Sequence, residues 1–131
     1  MDKVFIPENT EWFIAELVEE FRAVDQAENL IHINTVLIKA DSPVVAYEKA
    51  IALGESANRA FTNTDGVAVS VRFRGLRGLY PVYDRLEDGA ELLYEEREGM
   101  SDEAIAKMVK PKEELAVFSP TWKGIPAGDT C

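Results

Sequence analysis

Three segments of the chain distribute their apolar residues as β-strands do. Residues 67–74 alternate apolar and polar side chains cleanly, and residues 12–22 do so in part, which is typical of strands with one buried face. Residues 30–40 are apolar and β-branched, and only the polar break at 26–29 separates them from the first segment. We therefore predict that the first two strands pair as a hairpin and that a third strand follows later in the chain.

A helix is expected directly after the second strand. Ser42 can accept a hydrogen bond from a backbone amide that the first helical turn leaves free, and Pro43 suits the first helical position, where its missing N–H costs nothing. The helix should run to about Arg59. Its inward stripe consists of Ala46, Ala50, Leu53 and Ala57. Because most of these side chains are small and Gly54 is nearby, the helix axis should lie close to the sheet.

The remaining segments give shorter patterns. Residues 75–81 contain two glycines and a proline and predict a loop, whereas residues 91–96 are compatible with a fourth strand. Ser101 should cap a short helix that Pro111 ends, with acidic residues in its first turn and lysines in its last, as the helix dipole favours. Residues 119–131 contain two prolines and two glycines and should be loosely ordered.

These elements predict an α+β domain over residues 1–118, followed by a C-terminal tail over residues 119–131. The sheet should be antiparallel or mixed and contain about four strands, with one main helix packed on a face and a short C-terminal helix. The predicted core lies where strand alternation meets the alanine-rich stripe. It consists of Leu17, Val36, Ile38, Ala46, Ala50, Leu53, Val69 and Val71.

Composition changes this picture mainly through charge. The 131 residues are 47% hydrophobic and 29% charged, which is the balance of a globular domain, and their net charge is −10. That charge opposes general attraction to nucleic acid and to anionic membranes. No segment approaches the ~18 consecutive apolar residues of a membrane span, and the single cysteine, Cys131, cannot form an intrachain disulfide. We expect a cytoplasmic protein that binds neither nucleic acid nor membrane.

Few residues suggest catalytic or metal chemistry. The single histidine, His32, lies within a predicted strand among apolar neighbours, so a nucleophilic triad would need a hydroxyl and a carboxylate from elsewhere in the chain. One histidine and one cysteine cannot make a structural zinc tetrad. We expect no cofactor, no metal site and no chemistry at His32 or Cys131, which favours a protein that is not an enzyme.

Arginines supply the candidate binding site. Residues 66–83 contain no acidic residue, and their arginines and tyrosines are candidate ligand-binding residues: Arg72, Arg74, Arg77, Tyr80 and Tyr83. Guanidinium groups bind carboxylates and phosphates bidentately, and glycine-containing loops let backbone amides approach an anion. Alternatively, the arginines pair across the sheet with the glutamates of the predicted strand at 91–96, an ordinary surface contact. We favour this second interpretation.

Several motifs together resemble one protein family. They are Trp12-Phe13-x-Ala15-Glu16-Leu17, Asn34-Thr35-Val36-Leu37-Ile38-Lys39-Ala40-Asp41-Ser42 with Ala46-Tyr47-Glu48-Lys49-Ala50, and Phe73-x-Gly75-Leu76 followed by Leu86-Glu87-Asp88-Gly89-x-Glu91-Leu92. Over residues 12–96 the chain resembles the family of small bacterial proteins named domain of unknown function 4288. The resemblance implies a bacterial source and no particular activity. Val45 departs from the acidic residue of the family pattern, so Ser42 lacks a capping-box partner.

Three functions are compatible with these observations. We expect first a non-enzymatic binding or accessory module that self-associates as a homodimer, because two helices cannot cover every edge and face of such a sheet. The contact would use an exposed strand edge or an aromatic patch. The alternative is an acidic protein that neutralises a basic partner, as immunity proteins do, because its charge of −10 would attract a cationic surface. A small-ligand enzyme that uses carboxylates and the arginine segment comes third.

Overall fold

The computed structural model describes residues 10–122 and residue 124. The chain divides into two compact units, Met1–Tyr94 and Glu95–Cys131. The predicted boundary at residue 118 stays a prediction, and most of the tail predicted to be loosely ordered lies outside the described residues.

The first unit contains an antiparallel sheet of four strands in the order β2-β1-β4-β3. The strands are β1 (Trp12–Ala23), β2 (Leu30–Lys39), β3 (Arg59–Thr62) and β4 (Ala68–Pro81), and helix α1 (Pro43–Glu55) follows β2. The predicted β1–β2 hairpin is confirmed, with Trp12 opposite Lys39 and Phe21 opposite Leu30. The structure thus confirms the α+β class and settles the sheet as antiparallel.

Helix α1 begins where the sequence predicts. Ser42 has extended backbone angles, and its side-chain oxygen accepts a hydrogen bond from the amide of Val45 at 3.2 Å. Ser42 therefore caps the helix without an acidic residue at position 45. The helix ends at Glu55 rather than at Arg59, because the amide of Ala57 turns back to the carbonyl of Gly54 and Arg59 begins β3.

The core lies between α1 and one face of the sheet. It consists of Phe13, Ala15, Leu17, Ile38, Ala40, Ala46 and Ala50, with Val36, Phe73, Leu76 and Leu79 packed against it. Five of the predicted core residues are buried, namely Leu17, Ile38, Ala46, Ala50 and Val71, whereas Val36 and Val69 are half-buried. Leu53 is 45% exposed, so its predicted burial is wrong.

Gly54, rather than Leu53, is the third buried residue of α1. The helix buries every fourth residue, Ala46, Ala50 and Gly54, as neighbours one turn apart on one face do. A Cβ atom added to Gly54 would overlap the ring of Phe73. Glycine is therefore required at this position because the phenylalanine ring lies directly against the helix backbone.

Two other predictions about the sheet are wrong. Residues 75–81 form the second half of β4 rather than a loop. Their two glycines lie at β-bulges within the strand and do not end it. Residues 91–96 form no strand, and the amide of Glu91 instead donates to the Asp84 carboxylate at 2.9 Å. The fourth strand is β3, which has four residues, all exposed, and so shows no alternation of apolar and polar side chains.

The second unit contains the predicted short helix, α2 (Asp102–Met108). The Ser101 side chain accepts from the amide of Ala104 at 3.1 Å, and Asp102 and Glu103 occupy the first turn, as predicted. Single 3-10 turns follow at Lys112–Glu114 and Ala116–Phe118. Within the described residues, no helix of the protein is long and apolar enough to cross a membrane.

Candidate interaction surface and the arginine cluster

Two β-bulges in β4 determine where its arginines lie. Along β1, Glu16 faces Gly78 and Leu17 faces Leu76, so Arg77 is an extra residue in β4. The second shift lies between Val18 and Glu19 and makes Arg74 an extra residue in the same way. Each bulge arginine comes directly before a glycine, Gly78 or Gly75, and glycine within a strand often marks a bulge.

The first bulge arginine pairs with a glutamate of the central strand. Arg77 binds Glu16 bidentately, with its Nε 3.1 Å from Oε1 and its Nη2 2.9 Å from Oε2. The hydroxyl of Tyr80 lies 3.5 Å from Oε1 of the same carboxylate. A Cβ atom at Gly78 would collide with Tyr80 and with Glu16, so the glycine makes room for this cluster.

The second bulge arginine pairs with the next glutamate on the same face of β1. Arg74 Nη1 lies 2.6 Å from Glu20 Oε1, while Asn29 Nδ2 and Arg22 Nε lie 2.6 Å and 2.9 Å from Oε2. The Glu20 side chain is only 5% exposed. Its burial is tolerated because both carboxylate oxygens accept charged or amide donors.

These partners lower the pKa of both glutamates. The hydrogen bond from Asn29, followed by that from Arg74, lowers the pKa of Glu20 to about 2, against the opposing effect of burial. The hydrogen bonds from Arg77 lower the pKa of Glu16, again against the effect of burial. Both carboxylates therefore stay ionised well below neutral pH.

The structure does not gather the five predicted ligand-binding residues at one point. Arg77 and Tyr80 meet at Glu16, Arg74 lies at Glu20, and Tyr83 lines a cleft beyond the end of β4. Arg72 is exposed and makes no ion pair within the described part of the chain. Anion binding by these residues stays a prediction.

Arg74 and Arg77 do pair with glutamates of a neighbouring strand, as the second interpretation predicts, but the predicted glutamates are the wrong ones. The glutamates are Glu16 and Glu20 of β1 rather than those at 91–96, which lie in no strand. Sequence reasoning missed both glutamates. The signal that could have found them is their four-residue spacing, which places both on one face of β1, together with an Arg-Gly dipeptide at each bulge.

One open cleft lies at the end of the sheet where β1 begins. Its volume is about 740 Å³, and it is lined by Thr10, Glu11, Trp12, Asp41, Val82, Tyr83, Asp84, Arg85 and Leu86. The hydroxyl of Thr10 is buried and has no hydrogen-bond partner among the residues that the structure describes. Among the described residues, no group of three or more His, Cys, Asp or Glu side chains could hold a metal ion.

His32 lies on the α1 side of β2 and contacts an aromatic ring. It is exposed, and its ring centroid is 4.7 Å from that of Phe21. His32 lies opposite Glu19, whose carboxylate accepts a hydrogen bond from Asn34 Nδ2 at 2.7 Å. Cys131 lies outside the described residues. The prediction that neither residue carries chemistry stays a prediction.

Strand β2 presents apolar side chains at a free edge of the sheet. It is the outermost strand on its side, it has ten residues, and Ile31, Ile33 and Leu37 are 45%, 42% and 45% exposed. These residues alternate with the buried Ile38 and the half-buried Val36. They therefore lie on the sheet face opposite α1, beside Val18 and Ile14 of β1.

The hydrogen bonds of β2 show which backbone groups are unpaired. The amide of Ala40 donates to the carbonyl of Glu11 at 2.9 Å, so even-numbered residues of β2 direct their N–H and C=O groups towards β1. Odd-numbered residues direct theirs to the free edge. Within the described part of the chain, the residues that expose apolar side chains, Ile31, Ile33 and Leu37, thus also present unpaired backbone donors and acceptors.

A comparison with known protein families gives a match that lies within the first unit of the chain. A family model described as "Domain of unknown function (DUF4288)" matches residues 12–94. The chain belongs to the DUF4288 family. The match includes all four strands and α1 of the DUF4288 domain and ends before α2. No curated protein and no solved structure matches the chain significantly.

Proposed function

We propose that this DUF4288 protein is a non-enzymatic binding or accessory module that self-associates through the free edge of β2. The observation that carries the proposal concerns Ile31, Ile33 and Leu37, where exposed apolar side chains coincide with backbone groups that are unpaired among the described residues. Unpaired strand edges readily pair with another chain, and apolar residues there strengthen such pairing.

The β2 edge lacks the features that usually prevent edge-to-edge association. The strand contains no proline, and Lys39, its only lysine, is its last residue. The opposite edge differs: β3 has only four residues and begins with Arg59. Short edge strands and charged edge residues discourage pairing. Self-association is therefore expected at β2 rather than at β3.

Burial supplies the driving force for association. Complete burial of a large aliphatic side chain contributes ~1.5–3 kcal/mol, so each half-exposed residue of the edge has on the order of 1 kcal/mol still to gain. Repulsion between protomers of charge −10 opposes association. Because the Debye length at physiological salt is ~8 Å, that repulsion is largely screened.

A basic protein partner is the second candidate. Supporting it are the net charge of −10 and the three acidic residues that line the open cleft, Glu11, Asp41 and Asp84. Such a complex would form fastest at low salt and weaken as salt increases, because electrostatic attraction governs its association rate. Self-association by burial would instead strengthen under the same change, because salt screens the repulsion between protomers.

Light scattering coupled to size exclusion tests the proposal at micromolar protein and moderate salt. We expect a dimer mass for the wild type and for Val44→Lys, which places a charge on an α1 residue that is 67% exposed. Ile33→Lys should give a monomer mass, because it places a charge at the centre of the apolar edge. A wild-type monomer would overturn the proposal and make a basic partner the first candidate.

A further inference from the structure

We propose that two copies pair their β2 strands antiparallel about a twofold axis at Asn34, so that Ile31 of one copy lies opposite Leu37 of the other. The proposal rests on the self-association proposed above and specifies its geometry. The two sheets would then continue into each other through backbone hydrogen bonds, with the apolar edge residues of both copies on the face opposite α1.

The backbone geometry limits the possible registers. Only odd-numbered residues of β2 have N–H and C=O groups at the free edge, because even-numbered residues bond to β1. In a symmetric antiparallel pair, odd residues must therefore face odd residues, and the axis passes through one residue of the strand. Axes at Ile33, Asn34 and Thr35 keep most of the strand paired.

An axis at Thr35 conflicts with a hydrogen bond that already exists. It would place Ile31 opposite Lys39 and would require the Lys39 carbonyl to accept from the second copy. That carbonyl lies at the free edge, and it already accepts from the Lys49 ammonium at 2.5 Å. The register would thus displace a charged donor and set an isoleucine against a lysine.

An axis at Ile33 leaves an apolar side chain without an apolar partner. It would place Leu37 opposite Asn29, which lies before the start of β2 and donates to Glu20. An axis at Asn34 avoids both conflicts. It sets Ile31 opposite Leu37 and Ile33 opposite Thr35, so that the hydrogen-bonded pairs lie between residues 31 and 37.

Charge complementarity also favours antiparallel pairing about this axis. The C-terminal end of β2 carries Lys39, with the Lys49 ammonium bound at its carbonyl. The segment just before the N-terminal end carries Asp25 and Glu28. The antiparallel arrangement brings the lysines of each copy towards the acidic segment of the other, whereas parallel pairing would bring like charges together.

Disulfide trapping tests the register in full-length chains that also carry Cys131→Ser. One copy carries Ile31→Cys, and the other carries Leu37→Cys and a mass tag. Directly opposite Cα atoms in a hydrogen-bonded antiparallel pair are ~5.5 Å apart, within the ~4.4–6.8 Å range of disulfides, whereas diagonal neighbours are ~7–8 Å apart. Mild oxidation should link this pair at least about tenfold faster than the two control pairs.

The control pairs report the competing registers. Ile31→Cys with Thr35→Cys would link fastest if the axis were at Ile33, and Ile33→Cys with Leu37→Cys would do so if it were at Thr35. Because all four positions are exposed, these substitutions should leave the fold intact. As a second measurement, Asn34→Cys alone should link to itself, since this residue lies on the proposed axis.

Each result decides between the two proposals. Preferential linking of the 31/37 pair in a protein of dimer mass supports both self-association and the axis at Asn34. A dimer in which a control pair links fastest, or in which no pair links faster than the others, overturns the register but leaves self-association standing. A monomer mass for the cysteine variants and for the wild type overturns both.

Discussion

Arg77 binds Glu16 through two parallel hydrogen bonds at a β-bulge of β4. The two distances are 3.1 Å and 2.9 Å, and Arg77 is the extra residue of the bulge. Arg74, the extra residue of the next bulge, binds Glu20 through a single hydrogen bond of 2.6 Å. On the sheet face opposite α1, two glutamates of β1 thus bind two bulge arginines of β4.

Removal of the bidentate pair should destabilise the protein more than removal of an unpaired arginine nearby. Arg77→Ala leaves Glu16, whose side chain is only 15% exposed, without its charged partner. Arg72→Ala is the matched control, since Arg72 lies in the same strand and makes no ion pair within the described residues. Thermal unfolding should show a lower Tm for Arg77→Ala than for Arg72→Ala. Equal Tm values would show that the pair contributes nothing measurable.

Stability should fall with pH in the acid range because of Glu20. Its pKa is about 2 in the folded protein, against an ordinary value of 4.5, so the unfolded chain binds more protons between these values. Stability from this group is therefore fully present above about pH 4.5 and lost as pH falls towards 2. Glu20→Gln should show a smaller decrease in Tm between pH 5 and pH 2.5 than the wild type. Parallel curves would contradict the assigned pKa.

The contact between Gly54 and Phe73 predicts an unusual effect of alanine in a helix. Gly54→Ala ordinarily stabilises a helix by ~1 kcal/mol through propensity. Here the added Cβ atom would overlap the Phe73 ring, so we expect a net loss of about 1–3 kcal/mol. Combining Gly54→Ala with Phe73→Leu should recover part of the loss. Denaturant unfolding measures both, and a stabilised Gly54→Ala protein would refute the close contact.

The helix–sheet packing also predicts opposite sensitivities at two neighbouring positions. Ala50 is completely buried, so Ala50→Leu should overpack the contact and cost about 1–3 kcal/mol. Leu53 is 45% exposed, so Leu53→Ala should cost less than Ala50→Leu, although both substitutions change the side chain by the same number of carbon atoms. Denaturant midpoints for the two variants decide the matter. An unchanged midpoint for Ala50→Leu would mean that another face of α1 is buried.

The sequence pattern predicted the positions of β1, of the start of α1 and of the first half of β4. The burial of β1 alternates over residues 15–19, and Ser42 and Pro43 mark the start of α1, so both elements lie where expected. The first half of β4 was predicted for the same reason. Its second half was not, because Gly75 and Gly78 are typical of loops as well as of bulges, and only the neighbouring strand distinguishes the two.

Other features depend on contacts between distant parts of the chain. β3 has four exposed residues and is a strand only because it pairs with residues 68–71 of β4. The partners of Arg74 and Arg77 depend on a register that two bulges shift. Composition and spacing cannot supply that register. The same limit explains why the arginines were predicted to pair with glutamates at 91–96 instead of with β1.

The mass of the unmodified protein in solution tests the central claim of self-association most directly. Sedimentation equilibrium should be measured across a range from nanomolar to high micromolar protein, at low and at physiological salt. Self-association through β2 predicts a reversible shift from monomer to dimer mass as concentration rises, with the dimer favoured at the higher salt because screening reduces repulsion between protomers of charge −10. A monomer mass at every concentration and at both salts would contradict it.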